Sequence, residues 1–143
     1  MIELLLAIAI LGVLVGIAQA SYSSYIERTR IAQAVSDIGS LQTKIKMYEL
    51  DNRALPDSLA DIGAGAMLDP WGNPYQYTNL QDLNGHGKAR KDRNLVPINS
   101  DFDLYSMGKD GTSVSPLTAK ASRDDIIRAN DGRFIGLASD YDP

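Results

Sequence analysis

The sequence predicts an α+β fold: one long N-terminal α-helix packed on a small antiparallel β-sheet, with a loop-rich C-terminal region. Three observations lead to this prediction. Residues 1–20 are almost entirely apolar, and a helical pattern continues without a proline to about residue 52. The rest of the 143-residue chain alternates short strand-like segments with clusters of turn residues.

Composition excludes several classes of function. The chain has no cysteine, which rules out disulfides, thiol chemistry and thiolate metal sites. It has one histidine, His86, so a histidine-rich metal site within one chain is excluded as well. The net charge is −4 and no dense basic run occurs, which argues against binding to nucleic acid. There is also no G-x-S-x-G turn and no phosphate-binding loop, so we expect no enzymatic activity.

The first helix begins with a segment of membrane-spanning length. No polar side chain occurs from Leu4 to Ala18, and with Met1 and Ile2 the apolar run covers about 18 residues, or roughly 27 Å of helix. One carboxylate, Glu3, stands at its start. A secretory signal peptide would have a basic front and a cleavage site after the apolar run. The front here has no Lys or Arg, and the exit at Ser21-Tyr22-Ser23-Ser24-Tyr25 leads straight into more helix-like sequence. We therefore expect an uncleaved membrane helix rather than a signal peptide.

An apolar stripe continues the helix beyond this segment. Its residues recur at steps of three or four: Ile31, Val35, Ile38, Leu41, Ile45 and Tyr48. The pattern predicts one helix over about residues 2–52, roughly 75 Å long. We divide the chain into a hydrophobic segment, residues 1–24, and a globular head, residues 25–143, which contains the amphipathic half of the helix.

The remainder of the head predicts short elements. Residues 56–63 indicate a short helix or turn, and strands are expected at 75–78, 102–106 and 133–138. Residues 82–94 are rich in glycine and basic residues and predict a solvated loop that includes His86, while 112–132 are expected to be mostly loop. The aromatic residues are expected to form a core against the helix: Trp71, Tyr75, Tyr77, Phe102 and Tyr105.

Residues 2–12 resemble the start of the type IV pilin superfamily, whose hydrophobic segment carries a single glutamate. A carboxylate at the head of such a run is costly in a membrane, which makes the resemblance specific. The head resembles the G-type major pseudopilin of type II secretion in three places: Asp69-Pro70-Trp71-Gly72-Asn73-Pro74-Tyr75, Tyr105-Ser106-Met107-Gly108-Lys109-Asp110-Gly111, and Asp124-Asp125.

The resemblance implies a subunit that polymerises through its N-terminal helices. The subunit would be anchored in the bacterial inner membrane with its head in the periplasm, and it would work with minor pseudopilins and an inner-membrane assembly platform. The resemblance also implies a methylated N-terminus. The superfamily glutamate is the fifth residue of the mature chain, whereas here it is the third, so we expect a leader and two residues before Met1. The superfamily often has a proline where this chain has Ala20.

Three residues of the helix are candidates for assembly. Glu3 would pair with the amino terminus of a neighbouring subunit, because a carboxylate among bundled apolar helices needs a cation. A hydrated Glu3 at the level of the lipid headgroups is the alternative. Gly12 and Gly16 form a small-xxx-small motif that lets helices approach closely. Glycines and serines are also poor helix formers, so we expect helix opening between Gly12 and Ser24 in a filament.

The resemblance implies a calcium ion bound by Asp110, Asp124 and Asp125. Calcium takes six to eight oxygen ligands, and Gly108 and Gly111 would let the loop fold around an ion. The stretch between Asp110 and Asp124 is longer than is typical of G-type heads. Without the resemblance, the same aspartates would be read as a turn and a helix cap.

Two other functions remain open. A pilin of a type IV pilus, used for adhesion, motility or an extracellular fibre, would share the entire first half of this sequence. A membrane-anchored binding module that acts as a monomer is the third possibility, and it would not depend on Glu3.

Overall fold

The computed structural model describes residues 1–81 and 88–143. These residues contain one long helix, α1 (Ile2–Asn52), and four strands, β1 (Gln76–Asn79), β2 (Phe102–Ser106), β3 (Ile126–Ala129) and β4 (Phe134–Leu137). Short 3-10 helices lie at Leu59–Ile62, Lys120–Ser122, Asn130–Gly132 and Ala138–Asp140. The chain forms two compact units, a first unit, Met1–Arg30, and a head unit, Ile31–Pro143. The α+β class and the single N-terminal helix are confirmed.

The first unit is helical and apolar. Every side chain described from Met1 to Tyr25 is exposed in the single chain, and these include most of the exposed large apolar residues among those that the structure describes. The segment is long and apolar enough to cross a membrane. Exposed apolar surface of this extent is unfavourable in water, so the helix needs lipid or other protein around it.

The head unit contains the predicted helix stripe. Ile38, Leu41 and Ile45 have at most 1% of their surface exposed, and Ile31 and Val35 pack partly buried against the same cluster. Ala34 completes the buried row on the helix. The spacing of three and four residues therefore predicted the buried face correctly from Ile31 to Ile45, because such residues share one side of an α-helix, whereas Tyr48 is only half-buried.

The four strands form one antiparallel sheet in the order β1-β2-β3-β4. Tyr77 pairs with Leu104, Tyr105 with Ile127, and Ile127 with Gly136. One face of the sheet adds Phe102, Leu104 and Ile126 to the cluster on the helix stripe. The other face is covered by a second cluster: Ile98, Leu117, Ile127, Ala129, Ala138 and Tyr141.

The prediction that residues 112–132 are mostly loop was wrong at β3. Residues 126–129 form a central strand whose four side chains are all buried. A strand covered on both faces does not alternate between apolar and polar residues, and a run of four residues is too short for periodicity to reveal. Arg128 within this run also hid the strand, because an arginine is seldom buried.

The aromatic residues divide between the two faces of the sheet. Tyr75 and Phe102 are buried in the cluster on the helix, and Trp71 and Tyr77 pack at its margin. Tyr105 instead packs against the second cluster, so its expected place against the helix was wrong. The reason is the two-residue period of β2, which sends Phe102 and Tyr105 to opposite faces.

Candidate functional site

Glu3 lies in the first turn of α1, where the exposed amide groups of a helix N-terminus favour a negative charge. Its side chain is exposed among exposed apolar neighbours. Gly12 and Gly16 lie one turn apart, and a Cβ added to either would meet no atom within 4 Å. The surface of the single chain at the glycines is therefore open, as close helix packing requires. The assembly roles of all three residues stay predictions.

Helix α1 is continuous through the segment from Gly12 to Ser24. The predicted opening concerns the filament, where neighbouring helices change the surroundings of the backbone, and it stays a prediction for that state.

The loop that joins β2 to β3, residues 107–125, contains the three aspartates implicated in calcium binding. Its first turn packs against Asp124: Gly108 has φ +63°, and a Cβ there would lie 2.2 Å from the carbonyl oxygen of Asp124. The amide of Asp110 donates a 3.0 Å hydrogen bond to Oδ2 of Asp124. Glycine is needed at position 108 for both its backbone conformation and the close approach. The structure thus brings Asp110 and Asp124 together.

The carboxylate of Asp110 is occupied within its own turn. Oδ1 of Asp110 accepts hydrogen bonds from the amide of Thr112 at 2.8 Å and from its hydroxyl at 2.9 Å. This is the local turn that an aspartate commonly forms in a loop.

Asp125 is fully buried and is paired with an arginine. Its Oδ2 atom accepts hydrogen bonds from Nη2 of Arg90 and from Oγ of Ser113, both at 2.5 Å. Arg90 is itself only 3% exposed, donates from Nη1 to Ser113, and places its guanidinium 4.1 Å from the ring centre of Tyr105. Burial raises the pKa of Asp125 to about 6, although the bonds from Ser113 and Arg90 oppose the rise. The carboxyl is therefore mostly ionised at neutral pH.

The carboxylate oxygens of this loop are not arranged to coordinate one calcium ion with all three aspartates. Oδ1 of Asp125 is buried and has no hydrogen-bond partner among the described residues. Considered by itself, this oxygen could coordinate a cation. Its other oxygen, however, is bound to a guanidinium, and a divalent cation beside it would be repelled by that charge. Within residues 1–81 and 88–143, no group of three or more acidic or histidine side chains is placed to hold a metal ion. Calcium at this loop stays a prediction.

A second buried arginine joins the sheet to the helix of the head unit. Arg128 is 1% exposed and binds Asp101 through two nitrogens, at 2.8 and 2.9 Å. Its Nε donates to Oε1 of Gln42 at 2.5 Å, and Nη1 donates to the carbonyl of Phe102 at 3.0 Å. Lys46 adds an ion pair of 2.9 Å to Asp101.

The charges of this network fix the ionisation of Asp101. Burial alone would raise its pKa, but the hydrogen bonds from Arg128 and Lys46 outweigh burial and lower the pKa to about 2. The folded head unit therefore favours the ionised carboxyl.

Sequence reasoning missed both arginines. Arg90 stands in a basic stretch that was predicted to be solvated, and its burial shows that this prediction was wrong at position 90. The burial of Arg128 had one indication in the sequence, because its neighbours Ile126, Ile127 and Ala129 are apolar. His86 lies outside the described residues.

Comparison with known proteins shows similarity to two kinds of protein over most of the chain. Core protein G of the type II secretion system from Pseudomonas aeruginosa is 29% identical, covering 78% of this chain and 82% of its own length. The protein of the same name from Aeromonas hydrophila is 28% identical, with 78% and 81% covered. A fimbrial protein of Pseudomonas aeruginosa is 28% identical, with 92% and 79% covered. Over most of its length the chain is thus similar to core proteins G of the type II secretion system and to a fimbrial protein. No protein-family profile and no solved structure matches this pilin-like chain.

Proposed function

We propose that the chain is a structural subunit of a type II secretion pseudopilus, a helical filament that grows from the inner membrane and drives protein export. The exposed apolar helix of the first unit carries this proposal. The G-type relatives support the secretion role, since they cover 78% of the chain and so extend well beyond the helix.

The apolar helix suits a subunit that moves between two apolar surroundings. Before assembly, lipid covers the apolar part of the first unit, and each large apolar side chain there gains about 1.5–3 kcal/mol on leaving water. In a filament, copies of the same helix would replace the lipid. Lipid is as apolar as leucine, so this exchange gains little from the hydrophobic effect, and close packing and polar contacts must drive it.

In this proposal, close packing comes from Gly12 and Gly16, and the polar contact comes from Glu3. The open surface at the two glycines lets a second helix come close, which increases van der Waals contact. Glu3 pairs with the amino terminus of a neighbouring subunit and thereby sets the axial register between subunits. A lone carboxylate in the filament core without such a cation would be strongly unfavourable.

The proposed location is the inner membrane, with the head in the periplasm and later on the outside of the filament. The proposed partners are further copies of this chain, minor pseudopilins and the inner-membrane assembly platform.

A major pilin of a type IV pilus is the second candidate. It is favoured by the fimbrial relative that covers 92% of this chain. Deleting the gene in its own host separates the two functions. Loss of protein export supports the pseudopilus, whereas normal export with loss of long surface fibres supports the pilus.

A third candidate, a monomeric membrane anchor with a binding head, is tested by Glu3→Gln. This change removes the charge and keeps the size of the side chain. We expect normal membrane insertion and a strong loss of filaments, measured by shearing cells and quantifying the polymer. Asp51→Asn is the matched control, since Asp51 is an exposed carboxylate near the other end of α1. Filaments at wild-type yield in the Glu3→Gln variant would contradict the pairing.

A further inference from the structure

The carboxylate that the family resemblance assigns to a metal ion already has a cation within the chain. Asp125 is 0% exposed, and the guanidinium of Arg90 lies 2.5 Å from its Oδ2 atom. Ser113 binds both members of the pair through its hydroxyl. We infer that Arg90 is the resident cation of the β2–β3 loop, and that this loop keeps its fold without a bound metal ion.

Backbone contacts hold Arg90 in this position. Its amide donates to Oδ2 of Asp103 at 2.7 Å, and its carbonyl accepts from the amide of Ile98 at 3.1 Å. The next residue, Lys91, exchanges two backbone hydrogen bonds with the loop, donating to Ser115 at 3.0 Å and accepting from Leu117 at 2.9 Å. The segment that carries Arg90 is thus joined to β2 through Asp103 and to the β2–β3 loop through Lys91. A guanidinium held in place loses little entropy when it binds.

The surroundings of the guanidinium suit an arginine. The ring of Tyr105 lies 4.1 Å from its central carbon, a stacking contact that a planar guanidinium makes and a hydrated metal ion does not. A divalent ion at the other oxygen of Asp125 would lie within a few ångströms of this charge in a poorly hydrated interior. The repulsion there is much stronger than in water.

The pairing explains how a loop of nineteen residues with three aspartates, 107–125, stays folded at one end. Arg90 neutralises the aspartate that is buried, whereas Asp110 is exposed and Asp124 half-buried, so water can reach both. Because the cation is an arginine side chain of the same protein, the fold of the loop does not depend on the calcium concentration in solution. Calcium bound by the three aspartates is the competing proposal.

The test is thermal unfolding of the full chain in detergent micelles, followed by the fluorescence of Trp71, the only tryptophan of the chain. Trp71 packs against the core cluster of the head unit and so reports on its unfolding. We expect the wild-type Tm to be the same in excess calcium chloride and in excess EGTA. Arg90→Met should lower the Tm by about 10 °C or more, because it leaves a buried carboxylate unpaired.

Arg93→Met is the matched control. Arg93 lies on the same segment and is largely exposed, and among residues 1–81 and 88–143 its ion pair is a 4.0 Å contact with the exposed Asp142, so its loss should leave the Tm nearly unchanged. A double variant, Arg90→Met with Asp125→Asn, removes both charges and should recover part of the lost Tm.

Each outcome decides the inference. A wild-type Tm that falls in EGTA and returns with calcium would overturn it in favour of the metal. The inference also fails if Arg90→Met melts like Arg93→Met, or if the double variant is no more stable than Arg90→Met. If Arg90→Met does not fold at all, folding of the double variant supports the pairing and its failure contradicts it. All readouts concern the head unit, so they are independent of the secretion role.

Discussion

Replacing Arg128 with methionine should destabilise the head unit by about 3 kcal/mol. The side chain makes four hydrogen bonds, two of them to the carboxylate of Asp101. Removing one partner of a buried ion pair costs about 3–5 kcal/mol, since the remaining charge is left without compensation. Asp101 is 13% exposed and keeps its 2.9 Å contact with Lys46. These two facts place the loss near the lower end of that range.

The assay is thermal unfolding of the full chain in detergent micelles, with Trp71 as the reporter. A loss of about 3 kcal/mol corresponds to a fall in Tm of about 10 °C for a domain of this size. Arg133→Met is the matched control, because Arg133 lies just before β4 and its side chain is exposed. If the two variants melt within about 2 °C of each other, the buried network contributes nothing and the reasoning fails.

Three further predictions concern pH, the β2–β3 loop and the filament. Asp101 has its pKa lowered from 3.8 to about 2, so its stabilisation of about 2 kcal/mol is complete above pH 4 and lost as the pH falls towards 2. Wild type and Asp101→Asn should therefore converge in unfolding free energy at low pH. Gly108→Ala should destabilise the chain more than Gly72→Ala in urea unfolding, since both have positive φ but only the first meets Asp124. A filament reconstruction should show non-helical backbone within residues 12–24, and an unbroken helix there would refute this expectation.

Periodicity made the helix of this protein predictable. Ile38, Leu41 and Ile45 recur on one face, and no proline interrupts the pattern before Pro56. A helix satisfies its backbone hydrogen bonds locally, so its existence depends on neighbouring residues in the sequence. Strands depend on distant partners. Residues 76–79 and 134–137 were nonetheless found within one residue of their predicted positions, because turn residues delimit them.

The candidate site was less predictable than the fold. The approach of Asp110 to Asp124 follows from glycines in the turn, which the sequence displays. The pairing of Asp125 with Arg90 could not be predicted in this way, because Arg90 lies 35 residues away in the chain and stands among other basic residues. Composition ordinarily places such a stretch in solvent. Only the tertiary structure decides which of several neighbouring cations is buried.

The two buried arginines hold the helix, sheet and β2–β3 loop of the head unit in one specific arrangement. Apolar contacts such as those of Ile126 and Ile127 are non-directional and tolerate small shifts in register. Arg128 fixes the sheet against the helix, and Arg90 fixes the segment after residue 88 against the β2–β3 loop. Each requires a specific geometry, because a misplaced buried charge is costly. A subunit that repeats along a filament benefits from this, since every copy must present the same surface to its neighbours.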